Sequence, residues 1–482
     1  MQGTEIPPLS ARKHCNIQPF EPLNIFLSIF LSISLLTEHP VTGQANISIL
    51  VKNLTTGEVI DEYRSGHVVP PASVMKLLTT GAALQILGPD YRFPTTLEHS
   101  GTIENGVLRG DLYIHGGCDP SLGTKGKQAF LYQWIKALRE AGIKSIDGAV
   151  IADMTMLDGE AQNPGWLCED AGNYYAPGIF ALNYYDNTMN IVLRSGAVGS
   201  PAIIMNTEPR VDDIVFINHI RCGNITYDGA FVSGLPYSRE RYLTGSVPSN
   251  LGTFGVKGDL PNPGLLLARH FTTRLREAGI TVQHEADYVA DYNPLLPPRR
   301  VIYTHLSEPL SELLRETNMN SNNLYAEAIF RMLGTRYSLP GTIHNSQEVL
   351  REYWRRRGVS IQNAIIKDGC GLAPQDAVSA QTFVQMLSFM ARSPYADVWY
   401  QSLPVSGESG TLKSLCAGTE LQGRIRAKSG TIAGTKNFAG YIDMPNGDQW
   451  VFAILINSAP GKAKNIQYVI QQYLLDVYRA NQ

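Results

Sequence analysis

Ser73 and Lys76 stand three residues apart at the head of "PASVMKLLTTGAALQILG", where an apolar run begins. On a helix that spacing puts both side chains on one face. A hydroxyl beside an amine is a nucleophile beside a base, provided the amine can shed its charge. Burial and neighbouring cations lower a lysine's pKa and make that possible. A lysine snorkelling from core to surface is the other reading of the same residues. The pattern alone does not choose between them, since it occurs again as Ser10 and Lys13 in "SARK".

Two further patterns follow in the chain. "NMNSNNLYAEAIFRMLG" is expected to form a helix opened by Ser321 and Asn323 and ended at Gly334; both are ordinary N-cap residue types. "RIRAKSGTIAGT" reads as a strand ending in Lys428-Ser429-Gly430, where small residues leave room for a ligand to lie along the backbone. S-x-x-K, S-x-N and K-[ST]-G, in that order, form an active-site set shared by β-lactamases and their relatives. With all three in place the sequence resembles the low-molecular-mass penicillin-binding proteins, the D-alanyl-D-alanine carboxypeptidase/endopeptidases of the peptidase S13 type. Two more phrases carry the likeness, "GDLYIHGGCDPSL" and "YYAPGIFALNYYDN", so that it covers nearly the whole chain after the N-terminal segment.

The resemblance implies roles. Ser73 would be the nucleophile and Lys76 its base, Ser321 would pass the proton to the leaving amine, and Asn323 would hold a substrate carbonyl while touching Lys76. Lys428 and Ser429 would bind the substrate's terminal carboxylate through charge-assisted hydrogen bonds. The amides of Ser73 and Thr431, past Gly430, would form the oxyanion hole. Asp170 in "LCEDAGNYY" matches an acidic position that relatives use for a diamino-acid side chain; a solvated capping carboxylate is the equal alternative. One departure stands out: the family's D-G-S-G-L-S-R reads "DGCGLAP" here, with Cys370 for a serine and Pro374 where arginine is common. That leaves the acyl-transfer set intact and puts side-chain preference in question. No metal or cofactor is called for, and neither HExxH nor GxSxG occurs.

The elements that must position these residues are of mixed α/β (α+β) type. Residues 46–90 and 301–482 read as helix plus sheet. They correspond to a penicillin-binding, transpeptidase-like domain in which helices flank an antiparallel sheet. "ISILVKNLTTGEVIDEY" gives two strands about a turn, and "GRIRAKSG", "NFAGYIDM" and "WVFAILIN" give three more. Helices are expected from Ser73 to about Gly88, from Lys127 to Ala141, over "LLLARHFTTRLREAG", and from Lys462 to Tyr478. Lys76 and Ser321 are much farther apart than a compact β-lactamase needs. The middle is β-rich, and the resemblance implies that it holds two inserted domains, 91–188 with 256–300 and, within it, 189–255.

With 482 residues, 44% hydrophobic and 17% charged, the chain can bury a large core. A net charge of -3 offers no case for nucleic acid or an anionic membrane surface as partner. Arg12, Lys13 and His14 precede the apolar run Leu23–Leu36, which is shorter than the ~20 residues of a comfortable span; small residues follow. This describes an export signal over 1–45, cut near Gln44 or Ala45 or else kept as an uncleaved anchor, and a periplasmic protein with no stable span after cleavage. Beyond Cys15, the five cysteines Cys118, Cys168, Cys222, Cys370 and Cys416 lack metal-site spacing; they admit one disulfide. The expected partners are peptidoglycan peptides and β-lactams. The competing functions are a β-lactamase or esterase on the same residues, and a wall-binding scaffold without catalysis.

Overall fold

The computed structural model describes residues 33–293 and 299–481. Its central sheet joins the two ends of the chain. Strands β1 (Asn46–Asn53) and β2 (Val59–Tyr63) come from the start. Strands β3 (Ile425–Ile432), β4 (Thr435–Asp443) and β5 (Gln449–Asn457) come from the end. The order is β2-β1-β5-β4-β3 and every pairing is antiparallel. Alternation with period two sends Ala439 and Tyr441 of β4 into the core on one face, and Phe438 and Ile442 into the core on the other. Because β5 is covered on both sides, its sequence is a nearly continuous apolar run. β3 is an edge strand.

One face of the sheet carries α1 (Met75–Leu87), α2 (Leu310–Asn320), α3 (Asn323–Thr335) and α4 (Ala380–Met390). Every residue of α1 from Met75 to Leu84 is buried, so this is a helix enclosed on all sides. It ends at Gly88, whose φ of 85° needs glycine. The other face packs against α5 (Ala463–Ala480). The short fragment 33–37 is helical and packs there too: Leu36 is fully buried with Ile47, Ile49 and Val469, and its carbonyl accepts from Thr42 Oγ1. The basic residues of the expected leader and most of its apolar run lie outside the described residues. Leu36, which was assigned to the part removed, is a core residue.

Between α1 and α2 the chain forms sheets of its own. Strands Asp287–Val289, Val150–Asp153, Leu112–Gly116, Pro94–His99 and Arg300–Leu306 make one, in that order. Arg300–Leu306, most of which was assigned to the domain that begins at residue 301, is a strand of this sheet and pairs with Pro94–His99. Farther out, Thr188–Arg194 lies between Ile203–Glu208 and Phe254–Asp259. The expected helices appear as Phe130–Glu140 and Pro263–Glu277, the second capped by Asn262 Oδ1 accepting from the Leu265 amide. The five cysteines are free thiols, buried except for Cys168.

Leu36→Ala is expected to lower unfolding free energy by about 2–5 kcal/mol, the usual loss when a buried leucine leaves a cavity. Denaturant melts of the two proteins measure it. Equal midpoints would show that residues 33–45 are not docked on the sheet.

Candidate active site

Ser73 lies in a single 3₁₀ turn, Ala72–Val74, that leads into α1. Ala72 holds a positive φ of 46°, which a non-glycine residue adopts only when its surroundings impose it. The imposing contact is β3. A Cβ built on Gly430 would stand 2.6 Å from the Pro71 carbonyl oxygen and 3.2 Å from the Ser73 amide nitrogen. Only glycine lets the strand come so near, which explains the third residue of Lys428-Ser429-Gly430.

One turn into α1, Lys76 is completely buried. Its Nζ lies 2.9 Å from Ser73 Oγ, 2.6 Å from Asn323 Oδ1 and 2.8 Å from the Cys370 carbonyl oxygen. Burial lowers its proton affinity, and the fields of Cys370, Asp368 and Glu327 only partly oppose this. The identity of the three partners then decides what the neutral amine does. Asn323 Oδ1 and the Cys370 carbonyl only accept, so each must take an N–H. The lone pair is left facing the Ser73 hydroxyl.

Ser321 does not open a helix. It ends α2 in the left-handed conformation, with φ 58° and ψ 37°. Asn322 is the N-cap of α3, its Oδ1 accepting from the Tyr325 amide, and Asn323 is the first helical residue. The tight αL corner between two helices brings Ser321 and Asn323 together on one side. Ser321 Oγ accepts from Lys428 Nζ at 2.9 Å. Lys428 is fully buried and also donates to the Ser429 carbonyl at 2.7 Å. Burial pulls its proton affinity far down, and the nearby Lys76 and Lys436 add to this. Ser429 is buried and Thr431 is exposed on the edge of β3.

Asp170 is not in contact with these groups. Its Oδ1 accepts from the Tyr175 hydroxyl at 2.8 Å, and the Tyr175 carbonyl accepts from Asn323 Nδ2 at 2.7 Å. One tyrosine therefore links Asp170 to the site.

Several residues that the motifs do not mark complete the arrangement. The main chain of 368–373 wraps around Asp368, whose Oδ1 accepts from the Cys370 and Gly371 amides and whose Oδ2 accepts from Leu372, Ala373 and Trp166 Nε1. This fixes the Cys370 carbonyl that Lys76 uses. Glu327 accepts from the Gly369 amide at 2.6 Å. Burial, reinforced by Asp368, pushes its carboxyl up to about 8. Glu327, Asp368 and Cys370 bring possible metal-ligand atoms within 4.8 Å of one another. Four backbone amides, Trp166 Nε1 and the Cys370 thiol already occupy the Asp368 oxygens, which makes the cluster a support for the loop. Such partners have no local sequence signal, apart from the "DGCG" turn itself.

Residues 31–476 match the D-Ala-D-Ala carboxypeptidase 3 (S13) family. A D-alanyl-D-alanine carboxypeptidase of Actinomadura sp. is 28% identical over 89% of this chain and 81% of its own length. D-alanyl-D-alanine carboxypeptidase DacB of Haemophilus influenzae is 24% identical over 89% of this chain and 88% of its own. The crystal structure of penicillin binding protein 4 (dacB) from H. influenzae superposes with a TM-score of 0.80 at 24% identity, covering 92% of this chain and 99% of that one.

The state of Glu327 can be read from stability. Its ordinary value is 4.5 and its folded value about 8, so the folded protein retains a proton that the unfolded chain releases in between. This group's contribution to stability is greatest at low pH and falls as pH rises from about 4.5 to about 8. Glu327→Gln keeps an acceptor for the Gly369 amide and removes the titration. In denaturant melts the variant should gain on the wild type between pH 5 and pH 8. A constant difference would mean that Glu327 is ionised in the fold.

The match over residues 31–476, on a fold whose three motifs are joined by hydrogen bonds, identifies the protein as a member of the D-Ala-D-Ala carboxypeptidase 3 (S13) family.

Proposed function

We propose that this enzyme cleaves the terminal D-Ala-D-Ala bond, or the equivalent cross-link bond, of peptidoglycan peptides through an acyl-enzyme on Ser73. The observation that carries the reading is the buried Lys76 amine held by two obligate acceptors and the Ser73 hydroxyl. In this mechanism Ser73 Oγ attacks the carbonyl carbon as its proton moves to Lys76 Nζ. The oxyanion is held by the amides of Ser73 and Thr431. Through Ser321 the proton reaches the leaving amine as the C–N bond breaks. Water then hydrolyses the ester, with Lys76 again as base. Asn323 orients the substrate's carbonyl, and Lys428 and Ser429 take its terminal carboxylate. Asp170 borders the space for the substrate side chain. One of its oxygens holds Tyr175, and the other carries no hydrogen bond among the described residues.

A β-lactam offers a strained carbonyl and a carboxylate to the same groups, and we propose that it acylates Ser73. The related H. influenzae protein, 23% identical, has been crystallised in complex with a β-lactam; the TM-score is 0.75. We also propose that 91–188 with 256–300 and 189–255 are inserted domains at the rim of the site. Sheets separate from the central one support an insertion here, although Phe254–Asp259 and Arg300–Leu306 run across the bounds at 255/256 and 300/301.

Ser73→Ala is expected to abolish penicillin labelling and release of D-alanine. Lys76→Ala should be nearly as severe, since general-base assistance is typically worth about 10²–10⁴-fold. Lys428→Ala should weaken substrates with a free carboxylate more than neutral esters. Mass mapping of a penicillin adduct locates the nucleophile; an adduct persisting in folded Ser73→Ala would refute the assignment.

The substrate lies outside the cytoplasm, and the basic-then-apolar N-terminus reads as an export signal to the periplasm. The burial of Leu36 favours an uncleaved N-terminal segment over a cut near Gln44 or Ala45. Among the described residues no helix is long and apolar enough to cross a membrane. N-terminal mass analysis of the exported protein should find a first residue before Ile33, and a start near Asn46 would reverse this.

A further inference from the structure

Lys436 belongs to none of the three motifs. It lies on β4 directly across from Thr431 of the edge strand. Its Nζ donates to Thr431 Oγ1 at 2.9 Å and sits 5.0 Å from the centre of the Phe438 ring. The residue is only 8% exposed. A cation so placed needs compensating charge. The buried ion pairs among the described residues are made by Arg241, Arg299 and Arg331. Lys436 has a hydroxyl, a ring face and no carboxylate. Its neighbours deepen the imbalance, because Lys428 is close enough for Lys436 and Lys76 both to disfavour its charge. Burial brings Lys436 itself down to about 8, which leaves it largely charged at neutral pH. An anion is the missing partner.

Thr431 offers a route to it. The hydroxyl accepts from Lys436 and keeps its own hydrogen, and its residue is exposed at the strand edge. A hydroxyl that accepts from a cation becomes a stronger donor. We infer that Lys436 is a specificity-determining residue which, acting through Thr431, completes the pocket for the substrate's C-terminal carboxylate and selects a free acid over a capped or extended end. This rests on β3 being the strand along which the substrate lies, as proposed above.

The test compares a diacylated peptide ending in D-Ala-D-Ala as its free acid and as its C-terminal amide. The wild type should prefer the acid. In Lys436→Gln, which keeps a donor for Thr431 and loses the charge, the acid-over-amide ratio of kcat/KM should fall about tenfold, the scale of one charge-assisted hydrogen bond. The loss should appear in KM for the acid and not in kcat. Lys436→Arg should restore most of the preference. An unchanged ratio in Lys436→Gln, or equal losses in both variants, would overturn the inference while leaving the carboxypeptidase reading in place. A wild type that cleaves neither peptide would overturn both. If thermal melts show both variants unfolded, Lys436 is a structural residue and the inference falls.

Discussion

The site depends on keeping lysine amines dry and away from carboxylates. Lys76, Lys428 and Lys436 are each less than a tenth exposed, and none forms an ion pair among the described residues. A carboxylate beside Lys76 would favour the ammonium form and take away its use as a base. Its hydrogen-bonding needs are met by an amide oxygen, a backbone carbonyl and the nucleophile itself. These satisfy the amine in either protonation state. Acidic residues close by, Asp368 and Glu327, are occupied with amides and reach Lys76 only through space.

That arrangement explains details that look incidental. The 368–373 turn must deliver one carbonyl to a buried point, and a carboxylate taking six donors is the means of holding a turn with no regular hydrogen bonds of its own. Gly371 has a φ of 80°, and a Cβ there would stand 1.9 Å from the Ala72 carbonyl oxygen. The turn and the edge strand thus press on the residues before Ser73 from two directions. Their close approach holds Ala72 and Ser73 in a conformation that a free chain would leave.

Much of this was legible in the sequence, for reasons that differ from residue to residue. Ser73, Lys76, Asn323 and Lys428 could be read because their chemistry requires particular side chains at short spacing. β5 could be read because burial on both faces leaves almost no polar position between Gln449 and Asn457. The Cys370 carbonyl could not, since any residue supplies one and its side chain is irrelevant to the contact. Lys436 meets Thr431 through strand register, which no local pattern records. Ser321 was placed on the correct loop and given the wrong conformation: serine is a frequent N-cap, and only the αL corner shows that Asn322 does that work. Leu36 sits at the end of an apolar run that suits a leader and a core equally well, and its packing under the sheet comes from tertiary contacts that the run itself does not record.

Asn323 shows why the middle of the chain matters to chemistry at its ends. Its Oδ1 is committed to Lys76, which forces Nδ2 to the other side, where one hydrogen goes to the Tyr175 carbonyl. An amide nitrogen has two hydrogens, so a second remains outside these two contacts. Without Tyr175 the amide could rotate, and the oxygen that receives Lys76's N–H would no longer be fixed. The same tyrosine is anchored by Asp170, and its loop is stitched to the strand Phe254–Asp259 by the bridge between Asn173 and Gly258. The orientation of Asn323 is therefore set by the region between α1 and α2, and through Asn323 so is the lone pair that Lys76 turns toward Ser73.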